Sequence, residues 1–177
     1  RALLFCDMLY IFAGLPGAGK TTLARHLAST RNATHLRIDT IEQALRDTGA
    51  ALNGPEGYVV AYRLAADNLA HNHDVVADSV NPLQLTRRSW RDVALNAGVP
   101  FIEIEVICSH ASEHRARVES RVLDISGLPP LNWTDVQSRE YEPWDSPRVT
   151  IETAGKSVAE TLAELDRVLA QLPRSSK

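Results

Sequence analysis

Residues 14–21, Gly14-Leu15-Pro16-Gly17-Ala18-Gly19-Lys20-Thr21, constrain the fold more than any other stretch of the chain. They fit G-x-x-x-x-G-K-[ST], the pattern of a loop that wraps a phosphate. Glycine lets the backbone turn at positive φ without steric cost. The loop N–H groups and the start of the next helix then face the anion. Average composition brings the four fixed positions together by accident in roughly one chain in a hundred of this length. The flanks argue against accident. Leu9-Tyr10-Ile11-Phe12-Ala13 reads as a buried strand, and residues 22–28 read as a helix. In that setting Lys20 is expected to reach the β- and γ-phosphates of a nucleoside triphosphate, and the Thr21 hydroxyl to hold Mg²⁺. The expected cradle is Gly14, Leu15, Pro16, Gly17, Ala18, Gly19, Lys20, Thr21 and Thr22.

The chain has 177 residues and a net charge of −3. By length it is expected to form one domain over 1–177. The acidic balance argues against strong bulk attraction to nucleic acid or an anionic membrane. Cys6 and Cys108 are far apart, which points to a reducing, cytoplasmic setting without a disulfide framework. No apolar run approaches the ~20 residues of a membrane span. Residues 1–7 read as a leader or a non-native extension ahead of Met8.

Strands and helices alternate, which predicts an α/β domain with a mainly parallel sheet. Strands are expected at 8–13, 34–38, 74–78, 101–107 and 148–152. Helices are expected at 20–29, 41–46, 57–71, 83–97 with Gly98 as its C-cap, 113–123 and 157–172. Residues 127–147 are rich in Pro and Trp and are expected to form a lid or binding segment. Within it, Thr134 and Gln137 suggest a capping box for a short helix; Ser157 and Glu160 suggest another for the last helix.

Phosphoryl transfer needs phosphates held, charge neutralised and an acceptor aimed. Open parallel sheets bind ligands at strand C-terminal ends, so the acids there are candidates. Asp39, after the second strand, is placed to take a proton from an acceptor hydroxyl; with Glu42 it also forms a D-x-x-E pair that would cap the next helix. Asp78 ends the Val-Val-Ala run of the third strand, where an acid steadies Mg²⁺. Arg115, Arg117 and Arg121 lie on one expected helix. Arg117 and Arg121 are spaced to share a face and to close on the transferring phosphate, although Glu113 and Glu119 nearby also suit a solvated charged face. Arg87 and Arg88 are candidates for an anionic acceptor, or surface residues. Tyr58, Tyr62 and Arg63 are candidate acceptor-site side chains, with core packing the favoured reading of the two tyrosines; His71 and His73 read as surface. Trp133, Tyr141 and Trp144 line a cleft or anchor a loop.

These residues together resemble the small P-loop kinases that include polynucleotide 5′-kinases, zeta-type toxins, chloramphenicol phosphotransferase, and gluconate or adenylylsulfate kinases. The resemblance rests on residues 14–22, Arg37-Ile38-Asp39, Asp78-Ser79-Val80-Asn81-Pro82 with Arg87 beyond, residues 97–100 and 117–121. It implies a three-layer α/β/α P-loop NTPase fold with a five-stranded sheet and a lid segment. It implies ATP and Mg²⁺ as cofactors, and Asp39 as general base. Val80 stands where the polynucleotide kinases have threonine. The stretch from Glu152 to Gly155 resembles their adenine-side loop, which makes Thr153 and Gly155 nucleotide-site candidates.

The expected activity is transfer of the ATP γ-phosphate to a hydroxyl of a small molecule. Lys20, Asp39, Arg117 and Arg121 are the catalytic candidates; Thr21 and Asp78 are the metal candidates. A nucleic-acid 5′-hydroxyl kinase is the alternative within enzymes, disfavoured by the charge and by Val80. A slow ATP-hydrolysing switch is the alternative outside them; no Asn-Lys-x-Asp guanine-reading motif occurs.

Overall fold

A computed structural model describes residues 7–172. Of the expected leader at 1–7, all but Asp7 lies outside the described residues. The elements run β1 (Leu9–Ala13), α1 (Lys20–Arg31), β2 (Thr34–Arg37), α2 (Ile38–Asp47), α3 (Glu56–Ala70), β3 (Val75–Asp78), α4 (Gln84–Ala97), β4 (Phe101–Ile107), α5 (Ala111–Glu119), α6 (Trp133–Gln137), β5 (Val149–Glu152) and α7 (Val158–Gln171). The five strands form one sheet in the order β2-β3-β1-β4-β5. All four pairings are parallel. Continuous apolar runs such as Leu9–Ala13, buried at every residue, are what a strand covered on both faces requires.

The two faces bury separate cores. Tyr10, Phe12, Val76, Ile104, Val106 and Ile151 meet Leu23, Leu27, Leu165 and Leu169 of α1 and α7. On the other face Leu9, Ile11, Val75 and Ala77 meet Ala61, Ala65, Trp90 and Ala94 of α3 and α4. The three-layer architecture is therefore as expected. Tyr62 packs edge-on against Trp90, ring centroids 4.6 Å apart, in keeping with the core reading of the tyrosines. His71 and His73 are exposed. Gly98 caps α4 in the left-handed region at φ 68°, and the Ser157–Glu160 capping box is formed.

On the α4 side, β4 carries two buried acids, and residues 141–148 cover them. Arg91 and the Ser146 hydroxyl meet Glu103 at 3.3 and 2.6 Å. Tyr141 and Arg148 meet Glu105 at 3.1 and 2.5 Å. Arg87 is fully buried. It donates to the carbonyls of Asn81, Pro82, Glu142 and Pro143 at 3.0–3.1 Å and lies 4.1 Å from the Trp144 ring centroid. It ties the loop after β3 to this segment, and every one of those donors is used on backbone. This corrects its reading as an anion-binding or surface residue. Trp144 and Tyr141 anchor the same loop.

Three local expectations are corrected. The helix expected over 113–123 stops at Glu119, because the chain turns away to bring Asp124 onto Arg25 and onto Arg37, the latter at 2.8 Å. Arg121 therefore does not share a helix face with Arg117. The capping box of the short helix is Asn132 with Asp135, not Thr134 with Gln137; asparagine caps as well as threonine does and lies two residues earlier. Finally, α2 begins at Ile38, directly out of β2, with Arg37 as its N-cap and no side-chain cap bond. Asp39 sits in the first turn and caps nothing.

Candidate active site

The loop between β1 and α1 gets its shape from close packing. Gly14 has φ 136°, and a Cβ there would lie 2.1 Å from the Val106 carbonyl oxygen; at Gly17, φ 83°, it would lie 2.6 Å from Val118. No side chain fits at either place. The Gly14 N–H donates to the Val80 carbonyl at 3.1 Å, fastening the loop to the chain leaving β3. Gly19 caps α1 in the left-handed region without a side-chain bond. The first-turn N–H groups of α1 have no intrahelical partner and carry the positive end of the helix dipole.

Lys20 is buried and donates to the Leu15 carbonyl at 3.0 Å. Burial pulls its pKa from 10.5 down to about 8; Asp78 and Asp39 oppose that, and Arg121 and Arg139 add to it. Asp78 is in register with Phe12 on one side and Arg37 on the other. Burial alone pushes its carboxyl up. The bond from His35, whose Nε2 is 3.3 Å away, together with Lys20 and the Thr21 hydroxyl, holds it below the usual carboxylate range. The Thr21 hydroxyl and an ionised Asp78 thus sit side by side next to Lys20. These are hard oxygen donors of the kind Mg²⁺ takes, with phosphate oxygens and waters completing the shell.

A cavity of about 500 Å³ runs from the loop to the ends of β2 and β3. Pro16, Gly17, Gly19, Lys20, Thr21 and Thr22 line one end. Asp39, Glu42 and Arg46 of α2 line the other, with Ser79 and Val80 between. Arg117, Arg121, Leu128, Pro129, Pro130, Leu131 and Arg139 form the remaining wall. Five cationic side chains thus face four carboxylates, in a protein of net charge −3. Asp39 is 43% exposed, with Arg37 Nη2 3.8 Å from its Oδ2. Burial raises the Glu42 carboxyl above its usual range, against the lowering influence of Arg46.

The cavity brings together Gly17, Gly19, Lys20, Thr21, Thr22, Pro16, Asp39, Asp78, Arg117 and Arg121 of the expected site. Gly14, Leu15 and Ala18 shape the loop from behind its rim. Thr153 is buried behind the loop, its hydroxyl 3.0 Å from the Ala18 carbonyl. Gly155 donates its N–H to Glu113 at 2.9 Å, away from the cavity lining. Arg117 is largely committed: Nη1 donates to the Thr153 hydroxyl at 2.8 Å, and Nη2 to the Thr153 carbonyl and Glu113 at 2.9 and 2.5 Å. Arg121 is half-buried on the wall, near enough to Lys20 to depress its pKa.

Sequence reasoning missed Arg46, Arg139 and the part played by Glu42 as a wall residue. For Glu42 and Arg46 a signal existed: they lie three and seven positions after Asp39, on one helical face. Arg139 follows α6 in a stretch without periodicity, and only the fold carries it to the cavity.

Comparison with known proteins bears on the family and the fold. A family model described as an AAA domain matches residues 9–143. The adenylyl-sulfate kinase of Myxococcus xanthus is 33% identical over 173 residues, covering 90% of this chain and 87% of its own. A protein of Aeropyrum pernix named as a probable adenylyl-sulfate kinase is 29% identical over 161 residues, 86% of each chain. Among solved structures, the Mycobacterium tuberculosis APS kinase, in complex with AMPPNP and APS, superposes with a TM-score of 0.69 at 18% identity, over 94% of this chain and 99% of that one. At that identity the last likeness speaks to the fold. These relatives favour neither a nucleic-acid acceptor nor a switch role.

Proposed function

The chain belongs to the AAA-domain family of P-loop proteins and is an ATP-dependent small-molecule kinase, and on that premise we propose that it phosphorylates a hydroxyl of a small anionic acceptor bound between α2 and the segment 127–147. The observation that carries the reading is the single cavity in which Lys20, the Thr21–Asp78 pair and Asp39 face one another, with Arg46 and Arg139 at the acceptor end. The loop N–H groups and Lys20 hold the triphosphate. Thr21 and Asp78 would hold Mg²⁺, which when bound would neutralise phosphate charge. Asp39 receives the proton of the acceptor hydroxyl as the new O–P bond forms and the bond from the γ-phosphorus to the bridging oxygen breaks; ADP leaves. Arg121, which has fewer competing partners than Arg117, meets the charge on the transferring group. Within residues 127–147 the lid is the part that lines the cavity, Leu128 to Leu131 and Arg139; Tyr141 to Ser146 are fastened to the β4 acids and to Arg87. A cytoplasmic setting is part of this reading, supported by its need for ATP. No described helix is long and apolar enough to cross a membrane.

The names of the relatives make adenylyl sulfate the first acceptor to try. The test is ADP release with Mg·ATP and adenylyl sulfate, set beside phosphorylated and uncharged sugars and nucleosides. ADP release that depends on an anionic acceptor, one ADP per phosphorylated product, is expected. A rate with uncharged hydroxyl compounds that anionic ones do not exceed overturns the proposed acceptor class.

A further inference from the structure

A loop that binds an anion through N–H groups must turn its carbonyls elsewhere, since each carbonyl oxygen carries the same sign as phosphate. Here three loop carbonyls are tied back. Leu15 O accepts from Lys20 and from the Ala18 N–H at 3.0 and 3.2 Å. Pro16 O lies 2.8 Å from His114 Nε2, and Ala18 O lies 3.0 Å from the Thr153 hydroxyl. The last two donors come from 98 and 135 residues away. Both residues are buried, at 5% and 4% exposure. A carbonyl oxygen only accepts, so His114 carries its proton on Nε2. The other side of the His114 ring meets Trp133, at the start of α6, edge-on at 5.1 Å. The Thr153 hydroxyl has one proton and two carbonyls in reach, Ala18 O and Ile107 O, each at 3.0 Å. Ile107 O already accepts the Thr153 N–H at 2.9 Å, so the hydroxyl proton serves Ala18, while Arg117 donates to the hydroxyl oxygen.

We propose that His114 and Thr153 are positioning residues of the phosphate loop: their donors hold the Pro16 and Ala18 carbonyls away from the nucleotide, so that the loop presents N–H groups to the phosphates before the nucleotide arrives. Neither side chain touches the phosphates; both act through the backbone they hold. Arg117, by fixing Thr153, belongs to the same brace. Loss of a donor leaves a buried carbonyl without a partner and free to rotate toward the anion. Affinity for nucleotide falls, while the bound complex, once its loop is in place, reacts at an unchanged rate.

The experiment compares His114→Phe, which keeps a ring against Trp133 and removes the donor, with His114→Gln, which keeps a side-chain N–H. Thr153→Val is paired with Thr153→Ser in the same way. Calorimetric titration with ADP and steady-state kinetics with ATP are measured on each. The expected result is a rise of about tenfold in the ADP Kd and the ATP KM for His114→Phe and Thr153→Val, with kcat within about twofold, and recovery toward wild type in the Gln and Ser variants. Wild-type nucleotide affinity in both donor-less variants, or a fall in kcat at unchanged KM, overturns the proposal. If His114→Phe shows no cooperative thermal transition, the Thr153 pair decides alone. The inference rests on the kinase reading only through nucleotide binding, which titration with ADP reads without any acceptor, so failure of the acceptor assignment leaves a separate trace.

Discussion

The two ends of the cleft are built from different material. The phosphate end is nine consecutive residues, 14–22, whose glycine angles and packing against Val106 and Val118 leave a single shape. The proposed acceptor end is assembled from α2, the loop after β3 and residues 121–139, in which Leu128 and Arg139 are 85 or more positions beyond Glu42 in sequence. Its charges are divided between α2, with Asp39, Glu42 and Arg46, and a segment with one five-residue helix, with Arg121 and Arg139. Holding a triphosphate is the same task whatever the acceptor, and a short rigid loop does it. Choosing an acceptor differs from one kinase to the next, and loops that change without disturbing the sheet can carry that choice.

Replacements at the phosphate end should act on every acceptor alike, and those at the acceptor end on one class. Lys20→Met carries the largest effect: a loss of about 10³ or more in kcat/KM with any acceptor, measured by ADP release. An intact rate would break the comparison at its first term. Asp39→Asn should lower kcat by about 10²–10³ while the Kd for ADP stays within about twofold; equal losses in binding and turnover would make the residue part of nucleotide binding. Arg139→Ala should raise KM for an anionic acceptor about tenfold, the size of one charge-assisted contact, with KM for ATP unchanged. A matching rise for uncharged acceptors would remove Arg139 from acceptor choice.

The smallest effect concerns protons. With its pKa drawn down to about 8 by burial, Lys20 is largely neutral in the free protein above that pH, whereas bound polyphosphate favours the ammonium. Nucleotide binding should therefore take up a proton between about pH 8 and the ordinary lysine value of 10.5, and affinity should decline as pH rises through that window. The same shift has a consequence for folding. The unfolded chain binds the Lys20 proton more tightly than the native chain does, so over this window the residue makes stability rise with pH. Calorimetry in buffers of different ionisation enthalpy counts the proton; the uptake should vanish in Lys20→Met.

Much of the fold and half of the site can be read directly from the chain. β4 matches its expected span residue for residue, and α1, α4 and α7 differ by one or two positions, because buried strands and capped helices carry their signals in adjacent residues. Arg87 shows where such reading ends. A charged residue at a helix start looks exposed until the chain from Pro143 is folded over it. The end of α5 shows the same limit, since the ion pair of Asp124 with Arg25 and Arg37 decides where the chain leaves the helix, and those partners lie far off in sequence.

By itself, then, the sequence determined the alternation of strands and helices, the phosphate loop with Lys20 and Thr21, and the acids at the ends of β2 and β3. All of these depend on neighbours within a few residues, where propensity, glycine freedom and strand burial act. Only the tertiary structure decided that Arg117 turns back to Thr153 while Arg121 faces the cleft, that Arg139 joins the acceptor wall, and that His114 stands behind Pro16. The places of Arg117 and His114 depend on hydrogen bonds to residues 36 and 98 positions away, and those of Arg121 and Arg139 on how an aperiodic segment folds over the loop; neither has a local pattern by which a linear chain announces it.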